Sequence, residues 1–227
     1  GYRTMRNYLR RYLDISISYN RLRFLMQGSN LQSSVRRKRR KNCLVRAKEA
    51  AVAPNLLNRE FSAAAPNMKY VTDITYVPIR GAMAYLSVIM DLYNREIVAH
   101  KISTLGDASL SVDVVKALRK KRNLHGALLH SDQGVHYTNK AYTETLRKNG
   151  IVASMSRKGN CWDNAITENF FGNYKNEWLK PRRKSIHSLE DVIDVTEAYL
   201  EYYNKYRLQK RLGNYPPVQY RLENFKN

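Results

Sequence analysis

Three acids stand out by where they sit rather than by their number. Asp73 interrupts the apolar, β-branched run Tyr70-Val71-Thr72-Asp73-Ile74-Thr75-Tyr76-Val77. Asp132 ends a second run, Ala127-Leu128-Leu129-His130-Ser131-Asp132, and is followed by Gln133-Gly134. Glu168 lies in Trp162-Asp163-Asn164-Ala165-Ile166-Thr167-Glu168-Asn169-Phe170-Phe171, which reads as the start of a helix. Aspartate is depleted in strands, and charges are seldom buried without partners. Carboxylates brought together repel and raise one another's pKa, a penalty that a divalent cation removes. Three acids that gather a metal, in a chain of net charge +21, point to phosphodiester chemistry on nucleic acid.

Composition bounds the alternatives. At 227 residues the chain can bury one good-sized core and a small appendage. Forty Lys and Arg against nineteen Asp and Glu mark a polyanion as partner. Cys43 and Cys161 stand far apart, without His or Cys at zinc-ligand spacing, and read as reduced thiols of a cytosolic protein. No apolar stretch approaches the length of a membrane span, and no signal peptide is visible, so no membrane partner is expected. The chain begins with Gly1 rather than Met, as a fragment or processed product would.

Three parts must position the acids. Residues 1–28 read as two short helices, the first with Met5, Tyr8, Leu9 and Tyr12 at helical spacing. The second is capped by Ser18 and carries Leu22, Leu25 and Met26. Arginines fill the opposite faces, which suits a helix-turn-helix-like DNA-binding segment or an amphipathic hairpin with a solvated basic face. Residues 29–66 read as a basic linker, because Arg36-Arg37-Lys38-Arg39-Arg40-Lys41 would repel itself in any compact arrangement. Such a cationic arm binds phosphates without regard to sequence.

From residue 67 to 227 the pattern is that of a folded core. Strands are predicted over Tyr70–Val77, Met83–Asp91 and Glu96–Ser103, a helix over Ser109–Lys121 and a strand over Ala127–Ser131. A helix over Asn139–Lys148, closed by Gly150, leads to a fifth strand, Ile151–Met155, and then to helices Asp163–Trp178 and Leu189–Asn204. This β-β-β-α-β-α-β-α order gives an α/β fold, a ribonuclease-H-like mixed five-stranded sheet flanked by helices. In that arrangement strands one and four are neighbours. Asp73 and Asp132 then meet at one sheet edge, and Glu168 descends from the helix above.

Those contexts resemble the DDE transposases of bacterial insertion sequences, whose catalytic core is similar to retroviral integrase. The matching stretches are Thr72-Asp73-Ile74-Thr75-Tyr76, His130-Ser131-Asp132-Gln133-Gly134 and Ser156-Arg157-Lys158-Gly159-Asn160-Cys161-Trp162-Asp163-Asn164-Ala165, leading to Glu168. Tyr203-Asn204, Arg211-Leu212-Gly213 and Pro217-Val218-Gln219-Tyr220-Arg221 look like the family's usual ending. Two departures stand out: such proteins usually begin well before this Gly1, and Tyr70 stands where the family often has tryptophan.

The resemblance implies a metal-dependent transposase that cleaves DNA at element ends and transfers strands into target DNA. Hard oxygen ligands select Mg²⁺ or Mn²⁺. Two ions about 3.5–4 Å apart would serve with DNA bound. Asp73 is expected to bridge both, with Asp132 and Glu168 each completing one site. DNA contacts are expected from Arg36, Arg37, Lys38, Arg39, Arg40 and Lys41, from a loop holding Arg157, Lys158 and Asn160, and from Lys175. Lys175 lies seven residues after Glu168; as an ordinary exposed lysine it would need no role. Asp163 reads as a helix cap rather than a ligand, and His130 and His136 as sources of orienting hydrogen bonds. Tyr202, Tyr203 and Tyr206 read as core or subunit contact. Element-end and target DNA, a homodimer or higher oligomer in the synaptic complex, and a bacterial cytoplasmic, nucleoid-associated location complete the expectation. Two alternatives remain, a ribonuclease-H-like nuclease that only hydrolyses and a non-catalytic DNA-binding fragment.

Overall fold

The computed structural model describes residues 1–33, 52–157 and 161–225. The basic run Arg36–Lys41, Cys43, Lys158, Gly159 and Asn160 lie outside the described residues.

Five strands form one mixed sheet, in the order β3-β2-β1-β4-β5. β1 (Lys69–Ile79), β2 (Ala82–Asp91) and β3 (Ile97–Ser103) are an antiparallel meander. β4 (Leu128–Ser131) runs parallel to β1, and β5 (Val152–Met155) parallel to β4. Gly81, at φ +72°, makes the tight reversal between the first two strands, where a side chain would be strained. Strands one and four are neighbours, as the sequence predicts.

Alternation along the strands builds a core on each face of the sheet. Val71, Val77, Val88 and Met90 pack with Phe170, Tyr174 and Tyr199, from α5 (Ala165–Asn173), the turn after it and α7 (Leu189–Lys205). On the other face Tyr70, Ile89 and Leu129 pack with Val114, Val115 and Leu146, from α3 (Ser109–Arg119) and α4 (Lys140–Lys148). Asn139 caps α4 by accepting from the Tyr142 N–H at 2.8 Å. Gly150 (φ +63°) closes that helix one position beyond the cap, with its N–H bonded to the Arg147 carbonyl and that of Ile151 to Leu146. Tyr70, in the tryptophan position, is buried and donates its hydroxyl to Asn67 Oδ1 at 3.0 Å.

Three elements differ from the sequence reading. The single helix expected over Asp163–Trp178 is a 3₁₀ turn (Cys161–Asn164), then α5, then a π-helical turn (Tyr174–Leu179) that runs into the short α6 (Lys180–Arg182). Phe170, Phe171, Tyr174 and Trp178 all pack inward there, more apolar bulk than one stripe of a regular helix presents. The expected linker is no linker over residues 52–61. Leu57 is in the core, and the N–H groups of Leu56 and Leu57 both donate to Ser154 Oγ, at 3.0 and 3.1 Å. With no regular element there, the stretch carries no periodicity to read. Beyond α7 a further helix, α8 (Pro217–Asn224), contains the Pro217-Val218-Gln219-Tyr220-Arg221 stretch of the family-like ending.

The amino-terminal helices, α1 (Tyr2–Tyr12) and α2 (Tyr19–Gly28), form as expected, with the Ser18 side chain accepting from the Arg21 N–H. The first of them rests against the carboxy-terminal region. The Arg11 guanidinium lies 3.8 Å from the Tyr215 ring centroid, and Asn7 donates to Asn214 Oδ1 at 2.8 Å. Among the described residues no helix is long and apolar enough to cross a membrane.

Candidate active site

Asp73 faces the α5 side of the sheet. It alternates with Val71 and Val77, both in the α5-side core, and sits opposite Val88 in β2. The parallel register of β1 and β4 pairs Val71 with His130. Two residues further along each strand come Asp73 and Asp132, so the two aspartates are level at the edge where β4 ends. Glu168 lies in the first turn of α5, which packs on β1. A strand, a strand terminus and a helix therefore deliver one acid each to the same end of the sheet.

The electrostatics follow from that placement. Burial, then the charge of Asp132, and more weakly that of Glu168, push the Asp73 carboxyl up to about 7. The Ile74 N–H, 2.8 Å from Asp73 Oδ1, and the Thr167 hydroxyl pull the other way without winning. Burial also raises Asp132, against a 2.8 Å hydrogen bond from the Gly134 N–H to its Oδ1. Asp132 folds back over this turn so closely that a Cβ on Gly134 would lie 2.8 Å from the same oxygen. That close approach explains the glycine of the Asp132-Gln133-Gly134 motif.

The donor set is all carboxylate oxygen, which suits a hard cation, and Asp73 shows the proton affinity of a site short of positive charge. Among the described residues no group of three or more His, Cys, Asp or Glu is arranged to hold a metal ion. The three acids thus share one end of the sheet, where the charges of the other two act on Asp73, without forming a closed cage.

The surrounding residues sort differently from expectation. His130 is fully buried, held near pKa 4 by that burial, and therefore neutral. Its Nδ1 lies 2.8 Å from Ser154 Oγ, the atom that also accepts from Leu56 and Leu57. It therefore orients β5 and the 52–61 stretch rather than Asp132. His136 Nδ1 lies 3.1 Å from the Asp107 carbonyl. Asp163 caps nothing: the N-cap of α5 is Asn164, and Asp163 is instead buried against two arginines, Arg59 and Arg157. Arg157 Nε and Nη2 each lie 3.1 Å from that carboxylate, so two of its three guanidinium nitrogens already have a partner within the protein. Lys175 falls in the π-helical turn and is engaged in contacts of its own. Tyr202 stacks on Trp178, Tyr203 packs edge-on against Phe170 in the core, and Tyr206 is exposed.

Sequence reasoning missed Thr167, Asn55 and Arg59. Thr167 had a weak signal, its place beside Glu168 in the first turn of a helix. Asn55 and Arg59 had none, since over a hundred residues separate them from their partner Asp163.

Comparison with known proteins places this geometry in a family. Two integrase core domain models match, one over residues 63–161 and the other over residues 149–217. InsK, a putative transposase for insertion sequence element IS150 of Escherichia coli (strain K12), is 37% identical over 210 residues, covering 92% of this chain and 73% of that protein. A transposase-like protein of Haemophilus influenzae is 35% identical over 213 residues, covering 92% of this chain and 95% of its own. The chain belongs to the insertion-sequence transposases with an integrase core domain. A probable transposase for IS1353 of Shigella flexneri is 36% identical over 97% of this chain, yet the match spans only 43% of that longer relative.

Solved structures agree on the fold of this transposase. A catalytic core domain of HTLV-2 integrase, solved with magnesium, superposes with a TM-score of 0.52 at 15% identity, over 67% of this chain and 95% of that one. A chain of a simian T-cell lymphotropic virus intasome, solved with the PP2A regulatory subunit B56 gamma, gives 0.60 at 14% identity, over 95% of this chain and 73% of that one.

Proposed function

We propose that this transposase cuts DNA at the ends of its element and joins those ends to target DNA, using Asp73, Asp132 and Glu168 as the holders of Mg²⁺ or Mn²⁺. The observation that carries the reading is Asp73: a strand carboxyl driven up to about 7 by burial and by its neighbour Asp132. Such a group is poised to exchange its proton for a divalent cation. When bound, the ions, two of them with DNA in place, would activate the attacking oxygen and offset the charge growing on the leaving one.

The chain's own residues prepare that event. The Ile74 N–H and the Thr167 hydroxyl fix the Asp73 carboxyl, and the Gly134 N–H fixes that of Asp132. Water attacks first and frees a 3′-hydroxyl at the element's end. That hydroxyl then attacks a target phosphodiester. In each step one P–O bond forms as another breaks, so no covalent protein intermediate is needed.

The basic chain supplies the grip. Arg36, Arg37, Lys38, Arg39, Arg40 and Lys41 would neutralise phosphates as an arm, with α1 and α2 as a DNA-binding segment. Lys158, Asn160 and Lys175 would hold the backbone near the scissile bond, joined by whatever part of Arg157 its pairing with Asp163 leaves available. Cutting two ends in concert calls for at least two copies of the chain, acting on DNA in the bacterial cytoplasm.

One assay tests the whole reading: labelled element-end DNA, an unlabelled target and Mg²⁺, incubated with the protein. Joined product is expected. Cleavage without joining would make the protein a nuclease only, and a shifted but uncut band would make it a DNA-binding fragment.

A further inference from the structure

Asp163 is a buried acid for which the reaction has no use. Its side chain is 1% exposed, and five hydrogen bonds from three residues in two stretches of chain converge on it. Oδ1 accepts from Arg59 Nε at 2.8 Å and from Arg157 Nη2 at 3.1 Å. Oδ2 accepts from Asn55 Nδ2 at 2.9 Å and from both Nε and the backbone N–H of Arg157 at 3.1 Å. The Arg157 fork is the two-pronged geometry that makes arginine–carboxylate pairs strong and directional. With Arg157 first and Arg59 behind it, the carboxyl is held well below the usual aspartate range.

The placement of this clamp matters more than its strength. Arg157 follows β5 by two residues, and Asp163 sits in the 3₁₀ turn that opens directly into α5. The pair therefore ties the exit of the sheet to the entrance of the helix that carries Glu168. That helix has no cap of its own, because Asn164 at its N-cap makes no side-chain bond to it. What fixes its start is a short relay. Next to Asp163, the Asn164 carbonyl accepts from the Thr167 hydroxyl at 3.0 Å, and Thr167 in turn reaches the Asp73 carboxyl. The strap over residues 52–61 does not depend on Asp163 to dock, since Leu56 and Leu57 are bound to Ser154 and Leu57 is in the core.

We propose that Asp163 is a positioning residue: with Arg157 and Arg59 it sets where α5 begins, and so holds Glu168 in register with Asp73 and Asp132. The proposal rests on the reading of those three acids as the transposase's catalytic set. A misplacement of about 1 Å at a reacting centre can cost on the order of 100-fold in rate, so a clamp at the root of a short helix has ample leverage.

The test compares the parent with D163N, R157Q and the double variant, measuring single-turnover cleavage of element-end DNA in Mn²⁺ together with hydrogen exchange along the chain. D163N is expected to lower the cleavage rate about 10- to 100-fold, the range seen when a partner that orients a ligand is lost. Its KM for DNA should stay within about twofold of the parent's. Exchange should quicken over residues 161–170 and stay unchanged in β1 and β2. If the pair acts as one staple, the double variant loses no more than D163N alone. A D163N rate equal to the parent's overturns the proposal. So do unchanged exchange over 161–170, protection lost throughout the core, and an R157Q that raises KM while keeping the rate, which would make Arg157 a DNA contact instead. A parent that cuts no DNA sinks the transposase reading, and the exchange pattern alone then decides whether the clamp orders α5.

Discussion

Two acids near one end of the sheet have opposite fates. Asp73 meets Asp132 and Glu168 and is pushed up to about 7; Asp163 meets Arg157 and Arg59 and is pushed far down. Asp163 is buried and Asp73 half-buried, and desolvation acts to raise both, so burial alone does not separate them. The difference is the source of the neutralising charge. At Asp163 the chain supplies its own cations, in fixed forks, and the result is a joint. At Asp73 the charges that act on the buried carboxyl among the described residues are those of two further acids, a setting we read as a receptor for an outside ion.

The most severe way to break this contrast is to remove the acids of the proposed metal site. Replacing Asp73, Asp132 or Glu168 singly with Ala should cut strand cleavage by about three orders of magnitude or more, with DNA binding nearly intact in a gel-shift titration. A variant that cleaved normally would remove its residue from the set. The clamp side is more sensitive to packing. Leu57→Ala, in the strap that carries Asn55 and Arg59, should cost about 2–5 kcal/mol in urea unfolding, as for any buried leucine.

The two aspartates should also respond to pH with opposite sign. Asp163 is depressed in the fold, so its contribution is present above the ordinary aspartate value near pH 4 and is lost as pH falls below it. Asp163→Asn should therefore be less stable than the parent by about 1–3 kcal/mol at neutral pH, the worth of hydrogen bonds to a charged group, with the gap closing in acid. Asp73 is raised, so its penalty is absent below about pH 4, grows as pH rises toward 7, and is full above that. Without divalent cations, Asp73→Asn should melt with the parent at pH 4 and roughly 3 °C above it at pH 8. Parallel pH profiles for the two variants would erase the distinction between joint and receptor.

The smallest effect belongs to the arm. Neutralising Arg36–Lys41 should weaken DNA binding across all sequences, and flatten the log–log salt dependence by a slope of about 0.9 for each phosphate the arm no longer neutralises. A weakening confined to one sequence would assign those residues to base reading.

Much of this was legible in the chain, for local reasons. The strands announced themselves through β-branched runs, and the acids by interrupting them. The Asp132-Gln133-Gly134 turn carried its own explanation, because the glycine makes room for the aspartate beside it. What stayed hidden was non-local or irregular. Nothing in Asn55 or Arg59 points to an acid a hundred residues away. Leu57 enters the core from a stretch without periodicity, and the π-helical turn after Asn173 answers to packing by Tyr174 and Trp178 rather than to helix propensity. Asp163 looked like a cap because caps are local and its true partners are not.

The most direct check on the role of Asp73 is a Mn²⁺ titration followed by electron paramagnetic resonance, on the parent and on Asp132→Asn, each with element-end DNA present. Uptake by the parent, sharply weakened in the variant, is the expected result. No uptake by the parent, or equal uptake by both proteins, would contradict the claim that these carboxylates hold a metal.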